Sequence, residues 1–135
     1  MKPNNILFIC RFNRFRSRVA EAYFKKINKD KKIKSDSAGL KAGSYPLDSD
    51  EVECAYELGI DLEGKPKRIT EELANWADTI VIAADDVMPS FLAQYIKTKK
   101  KIIHWQIPEN NSNNHEEIKS VINIIKEKVD ELIKS

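Results

Sequence analysis

Asn5-Ile6-Leu7-Phe8-Ile9-Cys10, running on into Arg11-Phe12-Asn13-Arg14-Phe15-Arg16-Ser17, is the stretch that decides the fold. Ile6 to Cys10 is apolar without interruption, which reads as a strand buried on both faces, since a strand with one wet face alternates polar and apolar positions. Beyond the loop, Ser17 to Ile27 reads as a helix, with Val19, Ala20, Tyr23, Phe24 and Ile27 at helical spacing. A doubly buried strand feeding a helix opens a parallel α/β arrangement, because parallel strands need a long crossover and helices then cover the sheet.

Working outward, the alternation continues. Lys32 to Ser37 predicts a second strand ending at Ser37-Ala38-Gly39, and Leu47 to Leu58 a helix stopped by Gly59. Thr70 starts a short helix to Trp76, and Thr79 to Ala83 is a third buried strand. Asp86 to Ile96 reads as a helix that tolerates Pro89 in its first turn, and Lys101 to Trp105 as a fourth strand. The last helix carries an apolar stripe of Ile118, Val121, Ile122, Ile125, Val129 and Leu132 opposite lysines and glutamates. The expected fold is one three-layer α/β domain over 1–135, a four-stranded parallel sheet flanked by helices and joined by right-handed crossovers. Ligands of such open sheets bind beyond the carboxyl ends of the strands, which is where Cys10 falls.

That loop carries the chemistry. A cysteine at a strand end, then Arg16-Ser17 after a five-residue gap, lets backbone N–H groups and a helix N-terminus converge on one tetrahedral anion. Arg16 offers a planar fork of donors for two phosphate oxygens, and the same positive surroundings favour a thiolate at Cys10. A cysteine that merely closed a core strand would have no use for Arg11, Arg14, Arg16 and Arg18 beside it. Ser17 is placed to cap the following helix.

Composition narrows the class. The chain has 135 residues and a net charge of +2, from 23 basic and 21 acidic side chains, so no global field gathers nucleic acid. Lysine clusters at Lys25-Lys26, Lys29 to Lys34 and Lys97 to Lys101 read as solvated surface. Cys10 and Cys54 are the only cysteines; one ends a strand and the other falls in a helix, so two free thiols in the cytoplasm are expected. The N-terminal apolar run is too short for a signal peptide or a membrane span. His104 and His115 lack the spacing of paired metal ligands, and Trp76 and Trp105 lie beside core elements and read as packing.

The stretch Ile6 to Glu21 resembles the signature of the low-molecular-weight protein tyrosine phosphatases, and the resemblance continues through Asp36-Ser37-Ala38-Gly39, Leu58-Gly59-Ile60 and Ala77-Asp78. It implies a flavodoxin-like fold and a phosphomonoesterase needing neither metal nor cofactor. By this resemblance Cys10 is the nucleophile, and Arg16 binds the phosphoryl oxygens. The loop Arg11, Phe12, Asn13, Arg14, Phe15, Arg16 and Ser17 cradles the phosphate. Ser17 bonds the thiolate, Asn13 holds the loop in shape, and Ser37 braces Asn13. The implied partner is a phosphorylated protein or small phosphomonoester met by a monomer or weak dimer, with no nucleic acid and no membrane.

Departures from the family pattern concern the general acid and the pocket wall. Where relatives place an Asp-Pro pair before the last helix, this chain reads Ile107-Pro108-Glu109-Asn110. Glu109 is the candidate acid, set against the alternative of a solvated loop carboxylate; Asp85, Asp86 and Glu116 are secondary candidates. Phe12 and Phe15 occupy positions usually held by glycine and by a second loop cysteine, so no protective disulfide is expected, and either ring could be core or pocket wall. The aromatic residues that flank a phosphotyrosine ring are missing from Asn110 to Asn114. Two other readings stay open: a thiol-dependent arsenate reductase, which would need further relay cysteines beyond Cys54, and a phosphate-binding regulatory module without catalysis.

Overall fold

A computed structural model describes residues 4–42, 47–62, 64–109 and 113–134. The order is β1 (Asn4–Cys10), α1 (Arg16–Ile27), β2 (Ile33–Gly39), α2 (Ser49–Glu57), α3 (Glu71–Trp76), β3 (Thr79–Ala83), a 3-10 helix (Pro89–Gln94), β4 (Lys101–Trp105) and α4 (His115–Lys134). The strands pair in parallel in the order β2-β1-β3-β4. Chain direction across the sheet reverses between β1 and β3, and the loop after Cys10 opens at that switch point.

Side-chain alternation along β1 and β3 divides the interior in two. Ile6, Phe8 and Val81 join α1, α2 and α4 residues in one apolar cluster, and Leu7, Ile9, Ile80 and Ile82 join α3 and Leu92 in the other. Phe8, Ile9, Ile80 and Ile82 are fully buried, each contributing about 1.5–3 kcal/mol by burial. Trp105 packs on Phe8 in the first cluster with ring centroids 6.1 Å apart, and Trp76 packs against the second.

Local signals explain most element ends. Asp48 and Glu51 form a reciprocal capping box on α2. At its other end Gly59 adopts φ +82°, and Ile60 N–H to Ala55 O (2.8 Å) with Gly59 N–H to Tyr56 O (3.0 Å) closes a Schellman turn. Thr70 caps α3 through Leu73 N–H, and Asn114 Oδ1 accepts from Glu116 N–H at the start of α4.

Two expectations are corrected. Asp86–Ile96 is not an α-helix; only Pro89–Gln94 is helical, wound as the tighter 3-10 form. Pro89 brings no N–H, and the acidic residues ahead of it are pinned elsewhere, Asp85 by its N–H to Ile107 O and Asp86 by its carboxylate to Arg16. Ser17 does not cap α1: Phe15 holds that position with no side-chain bond, and Ser17 lies inside the first turn. None of the helices among the described residues is long and apolar enough to cross a membrane.

Candidate active site

Cys10 ends β1 almost wholly buried, and the next residues fold back around its sulfur. Asn13 makes that turn possible. It has φ +52°, a left-handed conformation that asparagine accepts better than other residues with a side chain. Both ends of its amide are engaged: Nδ2 donates to Ser17 Oγ (2.8 Å) and Ser37 Oγ (3.0 Å), while Oδ1 accepts from Lys67 N–H (2.9 Å). Lys67 N–H can only donate, which fixes the orientation of the amide.

The direction of the remaining protons follows. Ser17 Oγ accepts from Asn13, so its own proton is available to Cys10 Sγ at 3.0 Å. Ser37 Oγ likewise accepts from Asn13 and donates to Glu21 Oε1 at 2.5 Å. A continuous chain thus runs from a carboxylate on α1 through β2 and the loop to the sulfur. Gly39 lets the loop sit against β2: a Cβ there would meet Asn13 N at 2.6 Å and Phe12 C at 2.7 Å, both backbone atoms.

Arg16 is 4% exposed, and its guanidinium reaches the loops that follow β3 and β4. It donates to Ile107 O (2.9 Å) and to Asp86 Oδ1 (3.0 Å), with Asp85 at 3.6 Å. Two of its five N–H groups are engaged in those two hydrogen bonds, leaving donors for an oxyanion. Asp85 and Asp86 therefore stand as counter-ions of Arg16. Arg11 is exposed, lies 5.4 Å over the Phe12 ring and comes within 3.9 Å of Asp86.

One pocket gathers Cys10, Phe12, Arg14, Phe15, Arg16, Glu51 and Glu109. The two phenylalanines divide: Phe15 is 5% exposed and belongs to the core, whereas Phe12 is half-buried at the opening. Glu109 is exposed at the same opening; Glu116 lies exposed on α4 and does not line the pocket. Arg14 turns its guanidinium to Glu51, donating through both terminal nitrogens, one at 3.0 Å. Sequence reading missed Glu51 and Lys67, and its comparison of Asn110 to Asn114 falls largely on 110–112, outside the described residues.

The remaining candidates lie elsewhere. His104 Nε2 meets Ala84 O at 2.9 Å on β4. His115 Nε2 meets Asp50 Oδ1 at 2.7 Å across α2 and α4, and that hydrogen bond raises the imidazole above its ordinary pKa. Exposed Glu53 approaches the same half-buried pair, a trio that sequence spacing did not reveal. Cys54 is fully buried under α4 with Sγ 3.8 Å from His115 O, and burial pushes its thiol pKa up.

The family described as low molecular weight phosphotyrosine protein phosphatase has a sequence model that matches residues 5–135. No curated protein sequence matches the chain. Among solved structures, a low molecular weight protein tyrosine phosphatase from T. tengcongensis is 27% identical, with TM-score 0.82, covering 97% of this chain and 98% of that one. An arsenate reductase from Archaeoglobus fulgidus is 25% identical, with TM-score 0.74, covering 96% of this chain and 99% of that one. The YwlE arginine phosphatase of Geobacillus stearothermophilus, 18% identical, reaches TM-score 0.84 over 98% of this chain and 92% of its own, a likeness of fold alone.

Proposed function

The chain belongs to the low molecular weight phosphotyrosine protein phosphatase family, and from that premise we propose that Cys10 attacks the phosphorus of a phosphomonoester held by Arg16 and the loop amides. The protein is a cysteine-dependent phosphatase, and its substrates carry phosphate. One observation supports the residue assignment above the others: a sulfur lining a pocket, 3.0 Å from a hydroxyl that already accepts from Asn13 and has its proton free for a thiolate. Ser17 then stabilises the thiolate before attack and when it leaves again.

In the first step the Cys10 sulfur forms a bond to phosphorus as the ester P–O bond breaks, and Glu109 protonates the departing oxygen. In the second, water adds to the phosphocysteine, Glu109 takes its proton, and inorganic phosphate leaves with the sulfur restored as thiolate. Arg16 and the loop N–H groups of residues 11–17 neutralise the equatorial oxygens, so no metal is called for. Ser37 and Asn13 keep the loop in its left-handed turn. Phe12 supplies an aromatic wall at the opening, and the enzyme works as a monomer or weak dimer in the cytoplasm, where thiols stay reduced. Cys54, sealed beneath α4, offers no relay thiol, so arsenate reduction on this chain would need an external one.

The assignment of Glu109 is tested by leaving group. Glu109→Gln should cost roughly 10²-fold or more in kcat on an alkyl phosphate, the scale of general acid catalysis. On p-nitrophenyl phosphate, whose phenolate departs without a proton, the loss should be several times smaller. Equal losses on both remove Glu109 from the acid role.

A further inference from the structure

Glu51 is a carboxylate with 2% of its side chain exposed on the wall of the phosphate pocket, a placement that helix capping alone does not require. Its Oε1 accepts Asp48 N–H at 3.2 Å, completing the capping box, yet both oxygens also receive the guanidinium of Arg14. Arg14 belongs to the loop, and its side chain keeps a quarter of its surface open. Two of its five N–H groups go to Glu51.

Two arginines that line the pocket beside the sulfur each have carboxylate partners. Arg16 is matched by Asp86 and Asp85, and Arg14 by Glu51. A pair with one member buried and the other a quarter open is asymmetric: removing Arg14 leaves Glu51 as an uncompensated charge in a poorly screened site, and removing Glu51 frees the charge of Arg14. The surviving charge would then act on the anion in the pocket.

Resting on the phosphate-loop reading above, we propose that Glu51 is a positioning residue that holds Arg14 along the pocket wall, and that the pair sets the anion affinity of the loop by opposed contributions. Arg14 favours negative charge beside Cys10; Glu51 restrains it and so keeps product phosphate from binding too tightly. The pair also ties the start of α2 to the loop, across 37 positions of sequence.

Alkylation of Cys10 by iodoacetamide, followed by mass spectrometry of its peptide with increasing inorganic phosphate, reads both sulfur reactivity and phosphate affinity without turnover. Glu51→Gln should tighten phosphate roughly three- to tenfold and speed alkylation at fixed pH, while Arg14→Gln should weaken and slow them by similar factors. The double variant should return close to wild type, and Arg14→Lys should fall between Arg14→Gln and wild type. Near-ultraviolet circular dichroism checks folding; should either single variant fail to fold, the double variant and Arg14→Lys decide. Single variants that shift in the same direction, a double variant as weak as the worse single, or changes below about twofold throughout overturn the proposal. Hydrolysis of p-nitrophenyl phosphate by wild type separates the two claims: turnover with same-direction shifts sinks only the pair, and opposed shifts without turnover sink only the assigned reaction.

Discussion

Cys10→Ser is expected to lower kcat for p-nitrophenyl phosphate by at least about 10⁴-fold, the scale on which removing a covalent nucleophile acts. A serine hydroxyl remains protonated near neutral pH, and the Ser17 hydroxyl, 3.0 Å from position 10, is no base that could take its proton. The cradle itself should survive: Asn13 keeps its bonds to Ser17, Ser37 and Lys67, none of which involves the sulfur. Inorganic phosphate should therefore still bind the variant, as read by titration calorimetry. Loss of turnover together with loss of phosphate binding would instead mean that the substitution had collapsed the loop.

Arg16→Lys should cost roughly 10²–10³-fold in kcat, comparable to losing a preorganised oxyanion donor. The change keeps the charge and removes the fork. Arg16 reaches Ile107 O with one terminal nitrogen and Asp86 with the other, a bracing that a single ammonium group cannot reproduce while also meeting phosphate. Asp85 and Asp86 would then face the incoming dianion with less compensation, so KM should rise as well as kcat fall. Steady-state kinetics on p-nitrophenyl phosphate measure both, and a variant within about tenfold of wild type on both parameters would remove Arg16 from the proposed role.

Three of the four strands were legible because they carry short apolar runs, and β1 and β3, buried on both faces, read as the centre of a parallel sheet, whereas β2 is polar over Lys34 to Ser37. The helix expected over Asp86–Ile96 failed for a tertiary reason, since its first residue, Asp86, is committed to Arg16 and the residue ahead of it, Asp85, to Ile107 O. The cysteine, arginine and serine of the site were readable from spacing along one loop. Their supports were less so. In sequence, Glu51 is a capping glutamate and nothing more; its second role depends on α2 landing beside residue 14. Lys67 contributes through its backbone N–H, which no side-chain pattern reports. Ser17 looked like a cap because it follows a loop, whereas the helix begins one residue earlier and turns its hydroxyl toward sulfur. Phe12 and Phe15 are the same residue type three positions apart, and only packing separates the pocket ring from the core ring.

The central claim is a covalent phosphoryl group on residue 10. Rapid acid quenching of wild-type protein during turnover, followed by peptide mass spectrometry, should find one phosphoryl group on the peptide containing Cys10, with Glu109→Gln accumulating more of it because water activation slows. Steady turnover with that peptide unmodified at every quench time, or with the phosphoryl group on another residue, would contradict it.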